Sequence, residues 1–295
     1  MSHAASPSGV GVWWRGARPR TLTAAIVPVL VGTAAAGTSS ASRTIAALVV
    51  ALGLQVGVNY LNDYEDGRRN IDDATRVGPV RLVAAGLASP RAAAAAGTLA
   101  IVAAGAAGVF LAATAGWWLL GVGAICVLGA FLYSGGPRPY AAAGLGELAV
   151  FVFFGIIATC GTAYVQAGHV SARAWWAATS VGLLAVAILL ANNLRDILTD
   201  GAVGKRTLAV RLGDQRTRTL YRAVVVVAFL VPPAGALLRV FPPTVLLALL
   251  AGPPALSALQ AAGHAHGGEL VPVLKRTAAT QLVAGLGLAA GLWLA

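Results

Sequence analysis

Apolar residues along the chain fall into nine long runs, separated by short polar stretches. The runs cover residues 22–38, 44–61, 92–112, 116–134, 145–166, 174–193, 220–238, 242–262 and 277–294. Each is about 17–25 residues long, the length at which a helix crosses a bilayer. The pattern therefore predicts an all-α membrane protein with nine transmembrane helices. Residues 1–14 are expected to form a disordered tail and 15–295 a single transmembrane domain. Several runs are rich in Ala and Gly, which let helix backbones approach closely where lipid gives no hydrophobic drive. Pro28, Pro232 and Pro233 are expected to kink or cap their helices.

Composition agrees with the pattern. Of the 295 residues 58% are apolar and only 11% charged, against about 25% charged in a soluble domain. Mean hydropathy is +0.79. The net charge of +11 is not a nucleic-acid binder's pattern, because the basic residues sit in the short polar stretches. Arg greatly outnumbers Lys, and with the Ala, Gly and Val excess this suggests a high-GC bacterial coding sequence. Cys126 and Cys160 lie inside apolar runs and read as small core residues rather than a disulfide or metal pair. The first residues lack a basic region followed by a cleavage site, so no removable signal peptide is expected.

Charge also orients the chain. With the N-terminus in the cytoplasm, 18 of the 21 basic residues fall on the inside, and only Arg43, Arg173 and Arg239 fall outside. The positive-inside rule then places the C-terminus outside a bacterial plasma membrane. Seven Trp residues near predicted span ends read as an interfacial belt.

All ten acidic residues lie on or next to the inner face, and five of them occupy one stretch, 63–73. Asn59, Asn62, Asp63 and Asp66 recur at i, i+3, i+4 and i+7, and Asn192, Asp196 and Asp200 at i, i+4 and i+8. Each set is a polar stripe on one helix face. Both stripes follow runs that cross in the same sense, which suggests duplication of a four-helix unit.

Polar stripes at transmembrane helix ends are costly unless they face a cavity or partners. Two carboxylate clusters with amide oxygens suit Mg²⁺, which keeps waters and completes its shell with substrate phosphates. Interleaved cations, including Arg76, Arg81, Arg195, Lys205 and Arg211, match a polyanion. A diphosphate at the mouth of an apolar bundle implies a lipid diphosphate. No P-loop or kinase loop is present, so the bond to break is most simply the carbon–oxygen bond of an allylic diphosphate.

These residues resemble the UbiA superfamily of intramembrane prenyltransferases, whose first aspartate motif is similar to Asn59 through Asp66 with Asp72 six residues on, and whose second is similar to Asp196 through Asp200. The stretches 72–83, Tyr133–Tyr140 with Gly144–Glu147, 192–197 and 204–213 resemble its naphthoate branch, as do Arg18–Leu22 and the six-residue step from Asp66 to Asp72. The resemblance implies a nine-helix bundle open to the cytoplasm and sideways to lipid. It also implies Mg²⁺-dependent transfer of a polyprenyl group from polyprenyl diphosphate to 1,4-dihydroxy-2-naphthoate, with loss of CO₂, giving demethylmenaquinone.

On this reading Asp63, Asp66, Asp196 and Asp200 are Mg²⁺ ligands, with Asn59, Asn62 and Asn192 as ligands or their supports. Asp72 binds metal or fixes its loop, and Arg76, Arg81, Arg195, Lys205 and Arg211 are candidates for the diphosphate. Tyr133, Arg138, Tyr140 and Glu147 are candidates for the aromatic acceptor, Arg138 for its carboxylate. No catalytic base is nominated. His264 and His266 read as part of a flexible Gly-rich loop. A relative with another aromatic acceptor, such as 4-hydroxybenzoate, and a cation-coupled transporter are the alternatives. The predicted topology is checked by alkaline phosphatase fusions: a fusion at the C-terminus is expected to be active and one after residue 140 inactive, and the reverse pattern contradicts the orientation.

Overall fold

The computed structural model of the chain describes residues 9–68, 81–134 and 139–294, and among these every regular element is helical. A short helix, α1 (Val10–Gly16), precedes α2 (Thr23–Ala35), α3 (Ala41–Arg68), α4 (Pro90–Ala115) and α5 (Leu119–Ser134). Then follow α6 (Ala141–Ala167), α7 (Ala172–Arg195), the short α8 (Ile197–Ala202) and α9 (Leu208–Leu212), α10 (Asp214–Leu237), α11 (Pro243–Ala261) and α12 (Leu270–Trp293). Six of these, namely α3, α4, α6, α7, α10 and α11, are long and apolar enough to cross a membrane. Helices α2 and α5 are apolar but shorter. Helix α12 has spanning length but carries Lys275, Arg276 and Gln281.

The apolar runs forecast these helices to within a few residues at most ends, and the exceptions matter. Helix α3 does not stop with the apolar run at 61 but continues to Arg68, so the first polar stripe lies on a helix, as its spacing predicts. Helix starts follow side-chain chemistry. Ser89 caps α4 by accepting from Ala92 N at 3.2 Å, with Pro90 at the first helical position, and Ser171 caps α7 by accepting from Ala174 N at 3.3 Å.

Helix α6 is irregular. Gly144, at φ 82°, breaks it near its start, and 151–157 is wound as a π-helix. Short π segments in α-helices often mark functional sites.

Helices α7 and α12 form the centre. Helix α7 packs against α2, α6, α10 and α12, and α12 also packs against α2 and α11. Close backbone approach replaces large side chains at two crossings. A Cβ on Gly155 of α6 would lie 2.7 Å from the Gly182 Cα of α7. On α12, Gly291 faces the backbone of Thr244 on α11, where Thr244 Oγ1 donates to the Gly291 carbonyl at 2.6 Å. Small residues four apart allow such contacts.

At one end Arg43, at the start of α3, donates to the carbonyls of Thr114 (2.7 Å) and Val165 (2.8 Å), so it buckles the ends of α4 and α6 to α3. That role explains an arginine on the predicted outer face. The ends of α3 and α7 and the starts of α2, α4 and α6 gather at the opposite end. Helix α5 packs on α3 and α4 and leaves Ile125, Leu128 and Phe131 exposed, a surface that suits lipid.

Gly182→Ala is expected to destabilise the fold by about 1–3 kcal/mol through overpacking, read as a lower thermal midpoint in detergent. Gly121→Ala, where nothing stands within 4 Å, is expected to leave the midpoint unchanged.

Candidate active site

The last turns of α3 present side chains that fix the chain around them. Asn59 donates through Nδ2 to the Ala17 carbonyl at 2.9 Å, and Tyr60 donates to the Trp13 carbonyl at 2.7 Å. The Trp13 and Tyr60 rings meet edge-to-face at 5.6 Å. Together these contacts clamp α1 and the turn after it onto α3. Asp63 is buried, and its Oδ2 accepts from Leu82 N at 2.6 Å. The carboxylate thus anchors the segment leading to α4 beside the first stripe.

The second stripe is built differently. Asn192 lies in the last turn of α7, and Asn193 donates to Glu147 Oε1 at 2.9 Å. Arg195 donates through Nε to Asp196 Oδ1 at 2.7 Å and through Nη2 to Oδ2 at 2.6 Å. Both side chains are almost fully buried. Asp200 on α8 accepts from Lys205 Nζ at 3.1 Å. Arg206 N donates to the Ala142 carbonyl at 2.8 Å, and Arg211 Nε donates to the Arg206 carbonyl at 3.0 Å. Gly144 leaves room for Arg211: a Cβ there would sit 3.0 Å from Arg211 Nε. The loop after α8 is therefore fastened to the start of α6.

Between the two stripes a cavity of about 830 Å³ opens into the bundle, lined by residues of α1 to α7 and α12. Its mouth is polar, with Arg15, Arg18, Asn59, Asn62, Arg81, Asn192 and Arg195. Below the mouth it is apolar, with Leu54, Val58, Phe153, Phe154 and Ile157. Residues Ala47 and Asn62 of α3 both line it. They are fifteen residues apart, about 22 Å at 1.5 Å per residue. Tyr133 and Tyr140 line it too, their rings edge-to-face at 5.6 Å. Tyr140 donates to the Gly129 carbonyl at 2.6 Å. Burial pushes its hydroxyl up to about 12, so it stays protonated as that donor.

The structure thus brings Asn59, Asn62, Arg81, Tyr133, Tyr140, Asn192 and Arg195 to one cavity wall. Asp63, Glu147, Asp196, Asp200, Lys205 and Arg211 do not line the cavity themselves and are held beside it by the contacts above, Arg211 through its Nε. Asp72, Arg76 and Arg138 lie outside the described residues; Asp66 occupies its place on α3. Among the described residues no group of three or more His, Cys, Asp or Glu stands close enough to hold a metal. The described donors of the two stripes are nonetheless all oxygens, carboxylate and amide. That set fits a hard cation such as Mg²⁺ and not a thiolate or imidazole metal.

Arg15, Arg18, Thr21 and Gln55 also line the cavity and were not placed by the stripe pattern. Arg18 holds a left-handed backbone at φ 54°, uncommon outside Gly. Its sequence signal was the polar Arg18–Thr21 step before the first span. His266 accepts within a latch centred on Arg218, which also pairs with Asp214 at 2.5 Å and binds the Ala262 and Ala265 carbonyls. These contacts tie down a loop that the sequence reads as flexible.

A sequence model described as the UbiA prenyltransferase family matches residues 25–266. The chain belongs to the UbiA prenyltransferase family. It is 48% identical over 284 residues to the 1,4-dihydroxy-2-naphthoate octaprenyltransferase of Mycobacterium tuberculosis, covering 95% of this chain and 96% of the relative. It is 34% identical to the enzyme of the same name from Escherichia coli strain K12, covering 74% of each. A UbiA homolog from Aeropyrum pernix K1 shares the fold at a TM-score of 0.70 and 17% identity, covering 90% of this chain and 96% of that one. One from Archaeoglobus fulgidus bound to GPP and Mg²⁺ shares it at 0.67 and 14% identity, covering 95% and 99%.

Arg195→Gln is expected to cost about 3–5 kcal/mol by leaving Asp196 buried without its partner. The double variant Arg195→Gln with Asp196→Asn is expected to recover most of that loss in a detergent unfolding assay. Recovery of stability without recovery of activity separates the pair's two roles.

Proposed function

We propose that the chain transfers a polyprenyl group from polyprenyl diphosphate to 1,4-dihydroxy-2-naphthoate, the acceptor in the names of its relatives. The observation that carries this reading is the cavity: an apolar channel beneath a mouth of cations and oxygen donors. A prenyl tail fits the channel and a diphosphate fits the mouth.

The chain's own residues have clear tasks on this reading. Arg15, Arg18, Arg81 and Arg195 draw the diphosphate to the mouth and stabilise the negative charge that builds on it as the carbon–oxygen bond breaks. Asp63, Asp66, Asp196 and Asp200, with Asn59, Asn62 and Asn192, would hold Mg²⁺. When bound, it supplies Lewis-acid stabilisation of the departing diphosphate. Lys205 keeps Asp200 in place. The apolar walls exclude water from the allylic cation, so the electron-rich ring is the nucleophile at hand. The ring carbon bearing the carboxylate forms the new carbon–carbon bond as the prenyl carbon–oxygen bond breaks and diphosphate leaves with that electron pair; the bond to the carboxylate then breaks, its electron pair returning to the ring as CO₂ departs. The product is demethylmenaquinone in its reduced form. Tyr133 and Tyr140 wall the acceptor's side, with Glu147 behind them and Arg138 as the partner for its carboxylate.

The same reading makes residues 15–295 one nine-span domain in a bacterial plasma membrane, with the N-terminus inside and the C-terminus outside. It predicts that purified protein given Mg²⁺, polyprenyl diphosphate and 1,4-dihydroxy-2-naphthoate yields prenylated, decarboxylated product by mass spectrometry. Asp66→Asn or Asp196→Asn is expected to lower turnover by about 10²–10³-fold while the protein stays folded. Near-normal turnover in either variant counts against the metal assignment, and product from a different acceptor alone counts against the naphthoate.

A further inference from the structure

Gln55 sits in the middle of the apolar part of α3, one turn or about 6 Å below Asn59. A polar residue at that depth is costly unless it has work to do. Its hydrogen bonding fixes which way its amide points. The Thr21 hydroxyl donates to the Arg18 carbonyl at 2.9 Å, so its only proton is spent. Thr21 Oγ1 then has lone pairs alone to offer its other neighbours. Those neighbours are Gln55 Nε2 at 3.1 Å and Asn59 Nδ2 at 3.4 Å. Both amides must therefore turn their NH₂ groups to Thr21, and Asn59 also gives a proton to the Ala17 carbonyl. A flipped Gln55 would set its oxygen against the oxygen of Thr21.

The consequence lies on the other side of the amide. Gln55 lines the cavity, and with its NH₂ turned to Thr21 its oxygen is the arm of the amide turned away from that hydroxyl. No described group donates to that oxygen, and it is not among the buried polar atoms that lack a partner. It is an acceptor open to the cavity, a turn deeper than the arginines and carboxylates.

What could use it follows from the donors each occupant carries. A diphosphate bears oxygens with lone pairs and would be repelled by a carbonyl oxygen. A prenyl tail has no O–H or N–H. Of the reactants, the hydroxylated ring alone brings a proton to give.

We propose that Gln55 is a specificity-determining residue, its amide oxygen accepting a hydrogen bond from a ring hydroxyl of the aromatic acceptor, with Thr21 as the positioning residue that aims it. The inference rests on the reading of the acceptor as a hydroxyarene. Accepting that bond fixes the ring about its own plane and leaves electron density on the hydroxyl oxygen, which favours attack by the ring on the allylic carbon. A site built to accept from a hydroxyl rejects an analogue that lacks it much more strongly than an apolar wall does.

The test uses the full chain in detergent or nanodiscs with the naphthoate and its two mono-O-methyl ethers. Wild type is expected to lose about tenfold or more in kcat/KM with one of the ethers. Gln55→Leu is expected to lose about tenfold on the parent acceptor and to treat the parent and that ether alike. The KM for polyprenyl diphosphate and the Mg²⁺ dependence stay unchanged. Thr21→Val is expected to move the ratio in the same direction, and Thr21→Ser to restore it. Three results overturn the proposal: wild type accepts both ethers as well as the parent, Gln55→Leu keeps the wild-type ratio, or its KM for the diphosphate rises in step with that for the acceptor. The wild-type ether ratio judges the proposal even if Gln55→Leu fails to fold. If wild type prenylates another hydroxyarene and not the naphthoate, the acceptor reading falls by itself. Gln55 is then judged by the same ratio on that hydroxyarene and its ether.

Discussion

A carboxylate buried at the end of an apolar helix destabilises the fold by several kcal/mol unless donors or cations surround it. The chain concentrates its acid at one end of the bundle, so this constraint organises that end. Asp63 takes a backbone N–H from Leu82, Asp196 takes the fork of Arg195, and Asp200 takes Lys205. Arg195 lines the cavity mouth, Leu82 follows Arg81 there, and Lys205 belongs to the loop fastened to the start of α6. Satisfying the charges therefore shapes the site: the segment before α4, the end of α7 and the loop after α8 are drawn to the same place. The outer end shows the converse. With no carboxylates there, one arginine, Arg43, serves bare helix carbonyls instead.

The helices were legible in the sequence because the bilayer imposes one simple rule, an apolar run of fixed length. The ends were less legible, because a helix can outrun its apolar stretch where tertiary partners await it. Helix α3 does so through the first stripe, and α10 begins at Asp214, six residues before its apolar run, since Asp214 pairs with Arg218 there. The two halves of the bundle are unequal in burial. Helices α7 and α12 are the packed centre, while α3 and α4 lend one flank to the cavity.

The site was legible where function shows as spacing. The Asn and Asp stripes gave its two sides, and both lie beside the cavity. What spacing could not show is which side chain turns toward the cavity and which turns into the wall. Arg211 looked like a diphosphate ligand because it is basic and near the second stripe. Its Nε holds the Arg206 carbonyl beside Gly144, a contact that depends on a left-handed glycine sixty-seven residues earlier. Gln55 and Thr21 carried no visible motif, because their meaning lies in a chain of three hydrogen bonds joining α3 to the turn before α2.

In the proposed function the ends of α3 and α7 hold a diphosphate jointly, through a divalent cation bound by oxygen donors. The most direct test of this arrangement is the affinity of a non-cleavable prenyl diphosphate analogue, measured by calorimetry in nanodiscs with Mg²⁺ and with EDTA. Removing Mg²⁺ is expected to weaken binding by at least about tenfold, a loss of about 1.4 kcal/mol, and the double variant Asp63→Asn with Asp196→Asn is expected to abolish this difference. Equal affinity with Mg²⁺ and with EDTA in the wild-type protein would contradict it.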